Sequence, residues 1–396
     1  MNGIKFFPKD LEIEDKRVIL RLDLNVPLID GKILDETRIL LAIPFLKKLI
    51  KKKSKIILIS HLGRPKGKIN ESLSLSPIFR YLKRKIDSKI FFYNGEINEE
   101  AKDKSKKLKK GEILFLENIR FFKEEEENDE KFSKKLSQLG DIYINDAFSC
   151  SHRKQSSIHK IVNFFDAFYG GPLLEKEIGA INLIINEKKS PVTCIIGGSK
   201  ISTKINIILN LIKNVDNVII VGAMANSFLY NKGYNIGKSL FEENTSKIIE
   251  KIYSESKKNN CRIVLPIDCQ ISKNFEGKAQ VRAKDKVNND EIILDIGPKT
   301  IELITKIIHE SKTVLWNGPA GYYENENFSI GTKAIANKIS ENTSNNSLIS
   351  ILGGGDTIAA LNKSNLKLSF THLSTAGGAF LEYLEGKDLP GLTVLK

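Results

Sequence analysis

Nine short apolar runs, each closed by a polar or glycine-rich turn, constrain this chain more than any other feature. They are Val18–Leu24, Ile56–Ser60, Ile113–Leu116, Ile142–Ile144, Val192–Ile196, Val218–Val221, Ile263–Leu265, Val314–Trp316 and Leu348–Leu352. Most are continuously apolar rather than alternating. That pattern marks strands covered on both faces, as in a parallel sheet flanked by helices. The segments between them, such as Ile39–Lys51 and Ile205–Lys213, carry the helical period. The prediction is α/β organisation repeated in each half.

A chain of 396 residues exceeds what one core serves, since single cores stop growing near ~250–300 residues. The halves divide near residue 170. There Gly170-Gly171-Pro172 opens a segment with apolar residues at helical spacing, and Pro191 closes it. This predicts a helix joining two domains. The acidic run Glu124–Glu127 reads as a solvated helix start without function. Hydrophobic content of 41% and charged content of 28% fit a globular protein. The first residues lack a signal-peptide pattern, and no apolar stretch reaches the ~18 residues a membrane helix needs. Cys150, Cys194, Cys261 and Cys269 have no paired spacing and read as reduced, structural thiols of a cytoplasmic protein.

The net charge of +14 admits nucleic acid, anionic lipid or anionic small substrates. Its lysines are spread along the whole chain, so most of it reads as composition. A nucleic-acid protein would need a basic groove interleaved with exposed aromatics, and none is visible. Arginine is the scarcer choice, ten of the 62 basic residues. Arg21, Arg38, Arg64, Arg120 and Arg153 lie in or beside strand-end loops of the first half. A planar guanidinium fits phosphate and carboxylate better than an ammonium does.

Ligands of open parallel sheets sit outside the carboxyl ends of the strands, so the residues after each run carry the functional signal. In the first half these are Asp23–Pro27, Asp35–Arg38, His61–Pro65, Glu117–Phe121 and Asp146–Arg153. Arginines and a histidine there make an anion site, with Asp23 and Asn25 able to bond a hydroxyl. The expected ligand is small, hydroxylated, and bears phosphate and carboxylate. In the second half, Ile195–Lys204 reads as a glycine turn opening a helix, a seat for phosphate. Lys200 and Lys204 would then share one helix face. Gly353–Thr357 repeats the device, with Asp356 placed for Mg²⁺. Ser374–Phe380 is a third glycine turn, and Trp316–Glu324 offers a carboxylate for ribose hydroxyls.

Several other readings fail. Gly233–Ser239 resembles a P-loop, but three residues separate its glycines where four are required. No GxGxxG opens the first helix, the protein-kinase HRD and DFG signatures are missing, and no His/Cys spacing suits zinc.

Taken in order, DLNVP, HLGRP, ENIRF, DAFSCSHR, GGSKISTK, WNGPAGYYE, GGGDT and STAGGAFLEYLEGKDLPGL resemble phosphoglycerate kinase from about residue 17 to 396. The resemblance implies two doubly wound, Rossmann-like parallel-sheet domains. Residues 1–171 would bind 3-phosphoglycerate, 172–190 form the joining helix, 191–373 bind nucleotide, and 374–396 pack back toward the first domain. It implies that Asp23, Leu24, Asn25, Arg38, His61, Leu62, Gly63, Arg64, Arg120 and Arg153 hold 3-phosphoglycerate. Lys200, Lys204, Gly222, Asn317, Glu324, Gly354, Gly355, Asp356 and Thr357 would hold ATP or ADP, with Asp356 on Mg²⁺. Arg38, Lys200, Gly354 and Gly377 would act on the phosphoryl group in transit. A cytoplasmic monomer with small-molecule partners, and neither specific nucleic acid nor membrane, is expected. Two departures are Ala376 and Ala223, where the family has glycine. The chemistry agrees: a carboxylate nucleophile is already ionised at neutral pH, so alignment, charge stabilisation and domain closure replace a general base.

Overall fold

The apolar runs form the strands predicted for them, and those strands build two parallel sheets. In the computed structural model, which describes residues 3–364 and 366–396, two compact units separate. One contains the chain up to Ile178 together with Asp388–Lys396, and the other contains Gly179–Lys387. Strands of the three larger sheets are numbered in chain order.

In the first unit these are β1 (Arg17–Leu22), β2 (Lys55–Ile59), β3 (Ile90–Tyr93), β4 (Ile113–Leu116), β5 (Ile142–Asp146) and β6 (Phe168–Gly170). They lie in the order β3-β4-β2-β1-β5-β6, every pairing parallel. Val18 of β1 stands between Ile56 of β2 and Ile142 of β5. Those positions are buried, which is why the runs show no alternation. The helix Thr37–Lys51 buries Ile39, Ala42, Phe45, Leu46 and Leu49, a stripe at three- and four-residue spacing. A short antiparallel hairpin, Leu28–Ile29 with Lys32–Ile33, precedes it.

The second unit holds β7 (Val192–Ile196), β8 (Asn217–Ile220), β9 (Arg262–Val264), β10 (Asp268–Ser272), β11 (Gln280–Ala283), β12 (Ile292–Ile296), β13 (Thr313–Asn317), β14 (Ile349–Gly353) and β15 (His372–Leu373). Its main sheet runs β9-β8-β7-β13-β14-β15, again all parallel. A separate antiparallel sheet, β11-β10-β12, has no counterpart in the sequence reading. Its strand Gln280–Ala283 is largely exposed and so carries no apolar run.

In each main sheet the strand order reverses beside the first strand, between β1 and β5 and between β7 and β13. These are the topological switch points where ligands of doubly wound sheets bind. The helix Pro172–Ile185 starts at such an end. Asp146, the last residue of β5, accepts hydrogen bonds from Leu173 N at 2.7 Å and Leu174 N at 2.9 Å, capping the helix. Asp268 and Asp295 serve the helices Pro298–Glu310 and Ile330–Ser344 in the same way. The four cysteines are buried and free. Among the described residues no helix is long and apolar enough to cross a membrane.

Two local expectations are corrected. Glu125, within the acidic run, is fully buried rather than solvated, because its carboxylate accepts from the Ser157 backbone N and hydroxyl. The helix after Gly197-Gly198 begins only at Ile205. Residues 201–204 form an intervening turn, so Lys200 lies outside the helix and shares no face with Lys204.

Candidate active site

In the first unit, loops after β1, β2, β4 and β5 converge. After β1 the chain turns on itself, with Asn25 N donating to Asp23 Oδ1 at 3.0 Å. The Asn25 side chain then accepts from Gly63 N at 2.9 Å, tying the loop after β1 to the one after β2. Arg38, from the first turn of its helix, reaches Asp23 Oδ2 at 2.7 Å and the Asn25 carbonyl at 3.0 Å. Ser149 donates to the same Asp23 oxygen. Arg120, following β4, donates to the Gly63 carbonyl at 2.9 Å and to Gln155 Oε1 at 3.3 Å. Asn118 holds the Leu62 carbonyl at 2.7 Å, and Leu24 N donates to Ser60 Oγ at 3.0 Å.

His61 is buried, and burial pushes its pKa well below the usual histidine value. The positive charges of Arg21, Arg120, Arg38 and Arg153 act in the same direction. The ring is therefore neutral at physiological pH, and the charge of the site resides in guanidinium groups. Burial lowers Arg120 as well, to about 10, which leaves it charged at neutral pH. Its Nε is buried without a partner among the described residues. A buried charged donor left unpaired is costly, and an anion bound beside it would relieve that cost. Arg64 is exposed, and Arg153 Nε lies 3.1 Å from His152 Nε2.

In the second unit, the loops after β7 and β13 press together at the switch point. A Cβ at Gly197 would stand 2.2 Å from the Pro319 carbonyl oxygen, so only glycine permits this approach. Lys204 Nζ bridges Gly197 O and Asn317 Oδ1, both at 2.6 Å. Burial lowers its pKa to about 8, and Asp356 partly offsets this. Asn317 Nδ2 donates to Gly353 O at 2.7 Å, while Thr357 Oγ1 accepts from Gly318 N at 2.7 Å. Gly222 and Gly354, with φ of +68° and +102°, cap the helices Ala223–Asn231 and Gly355–Lys363. Beside them lies a cavity of about 380 Å³ whose lining includes Gly198, Gly222, Leu240, Phe275, Glu324 and Asp356. Glycine-capped helix starts at one end and an apolar wall beyond them suit a phosphorylated ligand with a flat ring.

The family profile described as phosphoglycerate kinase matches residues 8–387. The chain belongs to the phosphoglycerate kinase family. A phosphoglycerate kinase of Chelativorans sp. (strain BNC1) is 41% identical over 398 residues, covering 100% of each chain. One from Wolbachia pipientis subsp. Culex pipiens (strain wPip) is 43% identical over 383 residues, covering 96% of each. The solved phosphoglycerate kinase of Coxiella burnetii superposes with a TM-score of 0.90 at 38% identity, covering 98% of this chain and 97% of that one.

Set against the phosphoglycerate kinase pattern, the first-unit residues Asp23, Asn25, Arg38, Gly63 and Arg120 form one hydrogen-bonded cluster, with buried His61, Leu24 and Leu62 beneath it. In the second unit, Lys204, Asn317, Gly354 and Thr357 are packed together, while Gly222, Glu324 and Asp356 line the cavity. Lys200 is exposed, and neither it nor Gly377 lines that cavity. Gly377 instead caps the helix Gly378–Leu384 at φ +57°. Gly355 opens its helix with open space where a Cβ would stand. Of the two alanine departures, Ala223 is the first residue of a helix and lines the cavity, whereas Ala376 is buried.

Sequence reasoning placed Arg21 with the strand-end arginines and missed its buried partners Ser157 and Glu125 behind His61. Arg21 lies inside β1, not in a loop. Its signal was available: a charged residue inside the apolar run RVILRL must find buried partners.

Proposed function

We propose that this chain transfers a phosphoryl group reversibly between ATP and the carboxylate of 3-phosphoglycerate, giving ADP and 1,3-bisphosphoglycerate. The observation that carries this reading is the hydrogen-bonded cluster of Arg38, Arg120, Asp23, Asn25 and Gly63 at the first switch point, beside neutral His61. That set supplies fixed positive charge for phosphate and carboxylate and acceptors for a hydroxyl. The cavity behind Gly222 and Asp356 supports nucleotide binding in the second unit.

The carboxylate attacks without losing a proton, so no residue is needed as base. Reacting atoms must approach to about 3–3.5 Å, which makes closure of the two ligand-bearing units part of the reaction. Closure also excludes water from the acyl phosphate. Arg38 and Lys200 are the cations we assign to the charge of the phosphoryl group in transit, with Gly354 and Gly377 allowing close backbone approach. Asp356 fits Mg²⁺: it is an exposed hard oxygen donor in the first turn of its helix, facing the cavity. The ion would neutralise charge on the nucleotide phosphates. We further propose a cytoplasmic monomer whose partners are these small molecules.

A coupled assay with ATP, Mg²⁺ and 3-phosphoglycerate tests the reading. Turnover dependent on all three is expected. Calorimetric binding of 3-phosphoglycerate with no turnover would reduce the protein to a binding module.

A further inference from the structure

His61 lies two residues beyond the end of β2, with Arg21 Nη2 3.2 Å from its Nδ1. A guanidinium has donors only. Nδ1 is therefore the accepting nitrogen, and in a neutral ring the proton resides on Nε2. Arg21 is itself held from behind. Its Nε donates to Ser157 Oγ at 2.9 Å and its Nη1 donates to the Leu22 carbonyl. The Ser157 hydroxyl gives its single proton to Glu125 Oε1 at 2.6 Å, and Ser157 N donates to Oε2 at 2.8 Å. Glu125, Ser157 and Arg21 are each 0% exposed. Every bond in the series has its direction set by chemistry. Burial raises the pKa of Glu125, and the Arg21 charge and both Ser157 hydrogen bonds oppose that rise; as a carboxylate it only accepts, the hydroxyl gives its proton to it and accepts from Arg21, and Arg21 can only donate to His61.

We propose that Glu125, Ser157 and Arg21 are positioning residues that hold His61 as the neutral Nε2–H tautomer, so that Nε2 offers bound phosphoglycerate a donor and not a lone pair. This rests on the functional reading of the first-unit site given above. The other groups bearing on the ring are Arg38, Arg120 and Arg153, which oppose its protonation, and Cys150, whose Sγ lies 3.8 Å from Nδ1 and 3.9 Å from Nε2. Burial keeps that thiol protonated. Asp23 shares the cluster with His61 and Cys150, but its charge is met by Arg38. A lone pair facing a carboxylate or phosphate would repel it, whereas an N–H attracts it at every pH where the ring stays neutral.

The test is nitrogen NMR of the full ligand-free chain with labelled histidine, the His61 signals being assigned by their loss in His61→Gln. A protonated Nε2 and an unprotonated Nδ1, unchanged from about pH 5.5 to 8, are expected. A proton on Nδ1, an even mixture, or an imidazolium near pH 6.5 overturns the proposal. Ser157→Ala and Glu125→Gln should mix the tautomers. They should also weaken 3-phosphoglycerate binding roughly three- to tenfold, the worth of about one hydrogen bond, and leave ATP affinity unchanged. Variants that melt earlier yet keep the wild-type nitrogen signals would mean the three residues serve stability alone, and would overturn it. Because the tautomer is read without ligand, its failure is separable from a failure to bind phosphoglycerate, which would instead remove the functional reading on which the proposal rests.

Discussion

Lys204 and Asn317 are joined by a 2.6 Å hydrogen bond beside the switch point of the second sheet. The lysine donates to the amide oxygen, and the amide nitrogen is spent on the Gly353 carbonyl. The side chain of Asn317 is thus fixed at both ends. The ammonium is held among neutral acceptors with its pKa lowered to about 8.

That lowered value has a signed consequence. Below about pH 8 the amine is charged in both the folded and the unfolded chain, and folding bears its burial. Between about 8 and the ordinary lysine value near ~10.4 the unfolded chain binds the extra proton, so stability rises with pH in this window. Wild type should therefore gain stability from pH 8 to 10 relative to Lys204→Met, measured by thermal unfolding of both. Nucleotide phosphates would restore the charge, so ATP binding at pH 8.5 should take up protons. Calorimetry in buffers of different ionisation enthalpy reads this directly, and buffer-independent heats would count against it.

Lys200 should act differently from Lys204. A cation that meets only the phosphoryl group in transit lowers the barrier without tightening ground-state binding. Lys200→Ala should reduce kcat by roughly 10³-fold, the scale for one transition-state cation, with ATP affinity little changed. Lys204→Ala should weaken ATP binding more visibly. If Lys200→Ala instead loses affinity and keeps its turnover, the two roles are reversed.

Gly354 has φ +102°, and a Cβ there would lie 2.5 Å from Asn317 Nδ2. Gly354→Ala should cost about 1–3 kcal/mol, the range for a residue held in a disfavoured conformation, and should weaken ATP binding by displacing Asn317. Gly355→Ala, with open space at its Cβ, should unfold at the wild-type temperature. Equal melting curves for the two variants would refute the steric argument.

Arg64→Ala should weaken 3-phosphoglycerate binding by roughly 1.5–3 kcal/mol, the worth of hydrogen bonds to charged groups. The residue is exposed, so the melting temperature should stay put. Unchanged affinity by calorimetry would remove Arg64 from the site.

Asp356→Asn should raise the Mg²⁺ concentration for half-maximal turnover and leave the fold intact, since the side chain is exposed at a helix start. A magnesium titration identical to wild type would take the ion away from this carboxylate.

The parallel sheets were legible because strands buried on both faces leave uninterrupted apolar runs, as at Ile56–Ile59. The antiparallel strand Gln280–Ala283 left no such trace, being exposed. The gathering of polar residues at strand ends was legible wherever residue type and position agreed, as for Asp23 and Asn25. Local geometry was not. The glycine pair at Gly197-Gly198 reads as a helix start, yet the turn 201–204 intervenes. It is bracketed by Glu242, whose carboxylate accepts from Ser202 N at 2.9 Å and from the Ser202 hydroxyl. Glu125 is hidden for a related reason. A run of four glutamates carries no mark of which one turns inward, and that choice is made by Ser157, far along the chain.

The last nine residues belong to the first unit. Gly391 N donates to Ser151 O at 2.8 Å and Lys5 N donates to Leu395 O at 2.9 Å, with Leu389, Leu392 and Leu395 buried. During synthesis the first unit thus leaves the ribosome lacking a piece of its own interior, which arrives only after all of Gly179–Lys387 has been made. Domains that emerge first ordinarily fold first. Here the first unit begins first and is completed last, and until then the apolar surface that receives those three leucines stays open to solvent.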